Sequence, residues 1–299
     1  MSRILAKVLV RRHLSLLILA VLCIACRLYG AEPSSAMHVQ KVTGSIPFRL
    51  HQGYVIAVQG SIGGRRNLNF IVETGASPTV IDAKLARELG IVGKATSLAL
   101  PNGKIPVLKA ELPSLNIGPL HRTDQKVIIG DLATLRSHLG IPIDGLIGLD
   151  VLGQSSFTID YQHKEIVFGV SEEANSIPYE ADASLVLVKL LSGGKALRVL
   201  VDTGTPGLLL FRSSVDHRLS GVKFLGGEDM RNMGGWLRVD RVAIDDLGFG
   251  EKKLGTTSAR VADAPSNWAE IFDGVLGPSS LYLRRLSFDV EHHMLGWTQ

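Results

Sequence analysis

Residues 68–76 read LNFIVETGA, and residues 197–205 read LRVLVDTGT. Each stretch is a short apolar run that ends in an acidic residue, a threonine and a glycine. Glu73 and Asp202 occupy the same place in the two stretches. Agreement along the whole of both stretches at one fixed spacing indicates an internal repeat, which decides the architecture before any single motif does.

Two further blocks recur at the spacing that separates position 73 from position 202. Position 144 matches position 273, and position 160 matches position 289. The blocks are IDGLIG at 143–148 with FDGVLG at 272–277, and FTID at 157–160 with LSFD at 286–289. Three blocks in one register predict two homologous lobes in a single chain. Charged and turn-forming residues between 171 and 183 favour a lobe boundary there, which gives a first lobe of 43–172 and a second lobe of 173–299.

The pattern of residue types in both lobes predicts an all-β fold. Short β-branched or aliphatic runs, such as residues 69–72 and 185–188, alternate with glycine, proline and asparagine turns. Asn102 and Gly103 form a dipeptide that is typical of a tight β-hairpin, because both residues tolerate a positive φ. Helices are expected to be few; one is placed at 82–89, with Asp82 as its N-cap, and another at 131–138.

The N-terminus carries an export signal. Arg3, Lys7, Arg11 and Arg12 precede an apolar run over 14–25 that is shorter than the roughly 20 residues of a membrane span. We therefore predict a signal peptide over 1–31 and a polar lead-in over 32–42, with an uncleaved anchor as the alternative. The lead-in is too short to fill a cleft as a pro-segment.

Both cysteines of the chain, Cys23 and Cys26, lie inside this N-terminal segment. Cys26 stands where a bacterial lipoprotein signal would carry its lipid, so anchorage through a lipid on this residue is a second alternative. The simpler interpretation is that both thiols are removed with the signal peptide. In either case no disulfide can form within the mature chain, and the localisation expected is periplasmic or secreted.

Composition excludes several classes of function. The formal net charge is only +4, and basic residues form no stripe interleaved with aromatic residues, so no nucleic-acid partner is expected. No metal site is expected either, since His292 and His293 have no acidic partner at metal-ligand spacing. The chain also lacks a phosphate-binding loop and a G-x-S-x-G nucleophile elbow. We predict neither a metal nor an organic cofactor.

The pattern of acid-Thr-Gly followed about seventy residues later by two apolar residues and a glycine resembles the aspartic protease superfamily. The resemblance covers both lobes, from about residue 42 to residue 297. It implies two homologous β-barrel lobes with a central cleft, and loops that meet at a pseudo-twofold axis. The short lobes are similar to retropepsins, whereas the fusion of two lobes in one chain is similar to pepsins and implies a monomer.

The resemblance implies that Glu73 and Asp202 are the catalytic pair. Two carboxyls held about 3 Å apart share one proton, so the ionised member can activate a water while the protonated member polarises a peptide carbonyl. Such a pair favours acidic to mildly acidic pH. The supporting residues implied are Thr74, Gly75, Thr203, Gly204 and Thr205. Thr205 can donate a hydrogen bond to Asp202, whereas Ala76, its counterpart, cannot do the same for Glu73.

Glu73 departs from the aspartate that the family pattern carries. Its extra methylene places the carboxylate roughly 1.5 Å further out, and a displacement of about 1 Å can cost on the order of 100-fold in rate. Two functions therefore stay open. One is an exported endopeptidase acting on peptides or proteins, and the other is a weakly active or inactive peptide-binding protein of the same fold.

Hairpins that cover the catalytic pair are a further implication of the resemblance. In the first lobe the Asn102-Gly103 hairpin stands in a suitable place, although it lacks the tyrosine of the pepsin hairpin. In the second lobe residues 226–236 are the counterpart. Substrate contacts are predicted for Asn102, Gly103, Met233, Gly234 and Trp236. Met230, Met233 and Trp236 can equally pack the interior of the lobe.

Overall fold

The computed structural model of the protein describes residues 41–100, 103–182, 185–232, 235–264 and 266–299. The predicted signal segment, with Cys23 and Cys26, lies outside the described residues, and so does nearly all of the lead-in. Strands dominate throughout, which confirms the all-β prediction.

Within the described residues, the first half of the chain forms eleven strands and three short helices. The strands are β1 Gly44–Pro47, β2 Arg49–His51, β3 Val55–Ile62, β4 Arg65–Val72, β5 Val80–Asp82, β6 Lys94–Leu100, β7 Gly103–Ile117, β8 Leu120–Gly130, β9 Gly145–Ile147, β10 Phe157–Asp160 and β11 Glu165–Phe168. The helices are α1 Ala83–Glu88, α2 Ala133–Leu139 and α3 Leu149–Leu152.

The second half repeats this succession with one 3₁₀ helix, at Pro278–Leu281. The strands are β12 Asn175–Pro178, β13 Glu180–Asp182, β14 Leu185–Ser192, β15 Lys195–Val201, β16 Leu208–Phe211, β17 Val222–Asn232, β18 Gly235–Phe249, β19 Lys252–Ala262, β20 Gly274–Leu276, β21 Arg285–Asp289 and β22 Met294–Thr298. The helices are α4 Arg212–Arg218 and α5 Ser266–Ala269.

Each half builds one eight-stranded sheet with the same topology. The strand orders are β2-β3-β4-β9-β5-β8-β7-β6 and β13-β14-β15-β20-β16-β19-β18-β17. An additional pairing closes each sheet further, between β3 and β7 in the first and between β14 and β18 in the second. The two-lobed fold expected from the repeat is therefore confirmed.

The short strands β9 and β20 explain why the apolar-apolar-Gly blocks recur. Strand β9 pairs in parallel with β4 and antiparallel with β5, so it lies between the strand that precedes the Glu73 loop and the strand that follows it. Strand β20 stands in the same relation to β15 and β16 around the Asp202 loop. Because β9 and β20 are buried at every position, they must be apolar throughout.

A third sheet of six strands joins the lobes in the order β1-β11-β10-β21-β22-β12. Its centre is the antiparallel pair β10 and β21, in which Phe157 lies opposite Phe288. These rings are buried and stack with centroids 4.6 Å apart. The third repeated block therefore forms the seam between the lobes.

The segment 171–183, which we expected to be a linker, holds the strands β12 and β13. Residues 44–47 (GSIP) and 175–178 (NSIP) occupy equivalent places, since β1 and β12 form the two edges of the joining sheet. The spacing of this fourth repeat is two positions longer than that of the other three, and sequence reasoning missed it. The lobe boundary between 172 and 173 stays a prediction.

The local predictions of helices and hairpins agree with the structure. Helix α1 begins after Asp82, whose carboxylate accepts the N–H of Lys84 at 3.1 Å, and α2 lies within two residues of its predicted limits. Strands β6 and β7 form the predicted hairpin, with Leu100 opposite Gly103. Strands β17 and β18 form its counterpart in the second lobe.

The apolar interior consists of three clusters. The largest includes residues of both lobes and the joining sheet. Each lobe also has a smaller cluster to which its hairpin contributes, with Leu98 and Leu100 in the first lobe and Met230 and Val239 in the second. Among the residues that the structure describes, no helix has both the length and the apolar character needed to cross a membrane.

The aromatic stack at the seam allows a direct test of how the lobes are held together. Phe288→Ala should lower the free energy of unfolding by about 3–5 kcal/mol, since a fully buried ring is lost. Phe224→Ala is the matched control, because that ring is 63% exposed, and it should change stability by less than about 0.5 kcal/mol. Urea unfolding measures both, and equal losses in the two variants would contradict this account of the seam.

Candidate active site

Glu73 and Asp202 each stand directly after a buried strand, at the point where β4 and β15 end. The backbone N–H of Glu73 donates to the carbonyl of Ile147 (2.9 Å), and that of Asp202 donates to the carbonyl of Leu276 (3.0 Å). The short strands β9 and β20 thus hold both acids in equivalent positions. Both side chains are fully buried.

The two loops are joined by a reciprocal set of hydrogen bonds through Thr74 and Thr203. Each threonine donates its backbone N–H to the hydroxyl of the other, at 3.1 Å in both directions. The Thr74 hydroxyl donates to the carbonyl of Val201 (2.9 Å), and the Thr203 hydroxyl donates to the carbonyl of Val72 (2.8 Å). All four bonds are buried and cross between the lobes, in the arrangement that the sequence predicts.

The glycines that follow the threonines allow the carboxyls to approach the opposite loop. A Cβ on Gly75 would stand 2.6 Å from Cγ of Asp202, and a Cβ on Gly204 would clash with the carboxyl of Glu73. Any side chain at either position would therefore separate the two loops. Each carboxyl packs against the glycine of the opposite lobe, which places both acids at the centre of the crossing.

The hydrogen bonds to the two carboxyls are unequal. Asp202 accepts the N–H of Gly204 (2.8 Å) and the hydroxyl of Thr205 (2.8 Å). Both carboxyl oxygens of Glu73 are buried and accept no hydrogen bond from a donor in the described part of the chain. Ala76, which stands where Thr205 does in the other lobe, offers no hydroxyl. The difference between the two loops follows directly from the sequence.

Burial raises the pKa of both acids, and the charge of Asp202 raises that of Glu73 further. The pKa of Glu73 lies well above its usual range because of burial first and then the negative charge of Asp202. Burial also raises the pKa of Asp202, opposed by the hydrogen bonds from Thr205 and Gly204. Because these donors stabilise the Asp202 anion, a proton shared by the pair is favoured on Glu73.

Asp144 and Asp273, which match each other in the repeat, support the strands beneath the loops. The carboxylate of Asp144 accepts the backbone N–H of Asn69 at 2.7 Å, and that of Asp273 accepts the backbone N–H of Arg198 at 2.8 Å. Asp273 also accepts the hydroxyl of Ser214 at 2.7 Å. These carboxylates are occupied by structural bonds, which agrees with a supporting role rather than a second catalytic pair.

Asp150 is a buried carboxyl that sequence reasoning missed. It accepts the backbone N–H of Thr79 (3.0 Å), the hydroxyl of Thr79 (2.8 Å) and the side-chain amide of Gln125 (2.8 Å). The Thr79 hydroxyl accepts the N–H of Gly148 at 3.0 Å, so this group fastens the loop after Glu73 to the end of β9. Burial raises the pKa of Asp150 to about 6, against the bonds from Thr79.

The hairpin residues predicted to contact substrate are only partly described. Gly103 begins β7 at the exposed end of the first hairpin, with a φ of +131°. Asn102, Met233 and Gly234 lie outside the described residues. Their predicted contacts with substrate stay predictions.

Trp236 and Met230 differ in their surroundings. Trp236 lies near the end of the second hairpin, is 52% exposed, and has the guanidinium of Arg231 4.7 Å from its ring centroid. Met230 is fully buried in the apolar cluster of the second lobe. A contact between Trp236 and substrate therefore stays a prediction, whereas Met230 packs in the interior of the second lobe.

Tyr54 also lies near the acid pair, and Arg260 and Glu228 form an ion pair beside the loop that follows Asp202. Sequence reasoning found none of these three residues. The pKa of the Tyr54 phenol is raised above its usual range by burial and by the charges of Glu73 and Asp202, while Arg260 lowers it. Arg260 contacts Glu228 through its Nε. None of the three belongs to a repeated block, so no local pattern singles them out.

Histidine side chains near the joining sheet pair with acids rather than with one another. His163 lies 2.9 Å from Asp160, and His292 lies 2.8 Å from Asp289, in equivalent turns of the two lobes. Within the described ranges, no group of three or more histidine, cysteine, aspartate or glutamate side chains is placed to hold a metal ion.

Comparison with known proteins agrees with this geometry. The model of a family described as aspartyl protease matches residues 58–151, a stretch that includes Glu73, its loop and strand β9. A comparison with curated proteins found no match. The family match lies wholly in the first lobe, and the second lobe repeats the strand order of the first.

The threonine crossing gives a stability prediction. Thr203→Val should lower the free energy of unfolding by about 2–4 kcal/mol, because the carbonyl of Val72 and the N–H of Thr74 are left buried without a partner. Thr203→Ser keeps the hydroxyl and should lose less than about 1.5 kcal/mol. Chemical unfolding compares the two. Similar losses for valine and serine would show that the hydroxyl is not what joins the loops.

Proposed function

Because the chain belongs to the aspartic protease superfamily, we propose that it is an exported endopeptidase that uses Glu73 and Asp202 to activate water. The observation that carries this proposal is the placement of two buried carboxyls where the loops of the two lobes meet. Asp202 accepts hydrogen bonds there, whereas Glu73 accepts none from the described residues. Peptide or protein substrates enter between the two hairpins.

The unequal surroundings assign a role to each acid at the start of the reaction. Asp202, whose anion receives bonds from Gly204 and Thr205, is the base that takes a proton from water. The water oxygen attacks the peptide carbonyl carbon, and protonated Glu73 gives its proton to the carbonyl oxygen. The tetrahedral diol then collapses as the proton on Asp202 passes to the leaving nitrogen and a diol hydroxyl returns a proton to Glu73.

The longer side chain of Glu73 is accommodated by the loop that faces it. Its carboxyl reaches Gly204, where only the absence of a Cβ leaves room. Aspartate at position 73 would withdraw the carboxyl by roughly 1.5 Å. The site is therefore built around glutamate, and the departure from the family pattern is compatible with turnover.

The alternative function, a peptide-binding protein without turnover, has one observation in its favour. Both oxygens of Glu73 are fully enclosed and receive no hydrogen bond from the described residues. An enclosed pair reacts only if the hairpins open to admit substrate and water. A protein whose hairpins hold a peptide away from Glu73 would bind peptides and leave them intact.

Export and assembly state belong to the same proposal. The basic and apolar N-terminal segment supports secretion to the periplasm or beyond, with membrane anchorage through Cys26 or an uncleaved signal as the alternative. Two lobes in one chain complete the crossing without a second copy, which supports a monomer.

Cleavage of a denatured protein mixture from about pH 3 to about pH 8 tests the proposed activity. Asp202→Asn and Glu73→Gln should each reduce the rate roughly 1,000-fold or more, because each removes one half of a pair that acts together. Glu73→Asp should lose on the order of 10- to 100-fold, since its carboxyl no longer reaches the opposite loop.

Asp263→Asn is the matched control, because this carboxylate is exposed and far in sequence from the loops, and it should cleave like wild type. If folded wild type cleaves nothing at any pH while binding a statine-type peptide mimic, the peptide-binding alternative is correct. Full activity in Glu73→Gln would exclude the Glu–Asp pair.

The pH dependence provides a second test. Activity needs one proton on the pair, so the rate rises as Asp202 ionises and falls when the pair loses its last proton. Thr205→Val removes a donor to the Asp202 anion and raises its pKa, so the acid limb of the kcat/KM profile should move up by roughly one unit. Thr205→Ser should leave that limb in place. A shift of the acid limb to lower pH in the valine variant would contradict the assigned roles.

A further inference from the structure

A half-buried ion pair lies beside the catalytic loop of the second lobe. Arg260, on β19, contacts Oε1 of Glu228, on β17, through its Nε, and its Nη1 donates to the carbonyl of Pro206 at 2.9 Å. The side chains of Arg260 and Glu228 are 21% and 23% exposed. The guanidinium therefore joins a hairpin strand to the loop that follows Asp202.

The pair lies beside the loop that carries Asp202. Pro206, whose carbonyl binds Arg260, is four residues after Asp202. Tyr54, from the first lobe, is within electrostatic reach of Arg260 and of both acids, since the acids raise the pKa of its phenol and the guanidinium lowers it.

The strand that carries Glu228 is irregular just before this residue. The pairing of β17 with β18 shifts register between Phe224 and Gly226, and Gly226 has a φ of +127°. A bulge bends its strand and increases the local twist. Glu228 stands on this irregular strand, whereas Arg260 and Pro206 belong to β19 and to the loop after Asp202, so displacement of the hairpin strand would separate Glu228 from Arg260.

We propose that Arg260 is a specificity-determining residue that binds a carboxylate of the substrate, the side chain of an aspartate or glutamate near the scissile bond. Glu228 holds the same position on the guanidinium until the substrate carboxylate replaces it. This inference rests on the proposed function, because it places a substrate in the cleft between the hairpins.

The physical reason is that a partly buried guanidinium needs a carboxylate partner. Arginine presents a planar set of donors that matches a carboxylate, and removing the partner of such a pair leaves a desolvated charge. Exchange of the Glu228 carboxylate for one from the substrate keeps the pair intact. A neutral substrate side chain offers no such exchange, so it gains nothing from displacing Glu228.

The experiment uses non-cleavable statine-type peptides in matched pairs, with glutamate or glutamine at each position on either side of the statine in turn. Titration with the full mature chain gives their affinities. At one position wild type should bind the glutamate peptide about tenfold more tightly than its glutamine twin. Arg260→Gln should reduce this ratio to within about twofold, and Arg260→Lys should keep part of it, since lysine retains the charge but not the planar donors.

Glu228→Gln should act in the opposite direction. It removes the competing carboxylate, so the affinity for the glutamate peptide should rise by about tenfold or less while the glutamine peptide changes little. Arg238 and Asp229 form an exposed ion pair on the same hairpin, with Nη1 and Oδ1 3.1 Å apart. Arg238→Gln and Asp229→Asn are the matched controls and should leave the glutamate preference as in wild type.

Three outcomes overturn the inference. One is equal weakening of both peptides by Arg260→Gln and Glu228→Gln, which would make the pair purely structural. The second is a wild-type protein that binds glutamate and glutamine peptides equally at all positions. The third is a folded protein that binds no peptide. If the protein prefers glutamate peptides but does not cleave the parent peptides, the inference about Arg260 holds and the proposed peptidase activity is wrong. Failure of the inference can therefore be distinguished from failure of the proposed function.

Discussion

Everything at the centre of this protein depends on two loops approaching closely enough to exchange hydrogen bonds. The Thr74 and Thr203 hydroxyls each accept an N–H and donate to a carbonyl of the opposite lobe, so four buried polar groups are satisfied only when the lobes are together. The glycines at 75 and 204 make that approach sterically feasible. The joining sheet below, with its Phe157–Phe288 stack, keeps the loops aligned.

A symmetric scaffold here holds an asymmetric pair of acids. The backbone holds Glu73 and Asp202 in equivalent positions. The residue three positions later is alanine in the Glu73 loop and threonine in the Asp202 loop. Because Thr205 and the N–H of Gly204 stabilise the Asp202 anion, the shared proton belongs with Glu73. The repeat therefore accounts for the shared backbone geometry, and the difference between single side chains makes the surroundings of the two acids unequal.

Much of the fold was predictable because its determinants are local or repeated. Strand propensity, the Asp82 cap and the Asn102-Gly103 turn act within a few residues, and the blocks around Glu73 and Asp202 share one register. The strands within 171–183 were harder to recognise, because the GSIP and NSIP blocks are spaced two positions further apart than the other repeated blocks. A short edge strand carries too few residues to be recognised without its partner.

The sequence by itself determined the two lobes, the acid-Thr-Gly loops and the inequality between Ala76 and Thr205, since each can be read from spacing and residue type. The placement of Tyr54 beside the acids, and of the Arg260–Glu228 pair beside the loop that follows Asp202, depends on tertiary packing, because these residues come from separate strands or turns in two lobes. Tertiary packing also decided that Met230 is interior while Trp236 is exposed. Alternation along a strand gives two faces, and which face is covered depends on packing against distant elements.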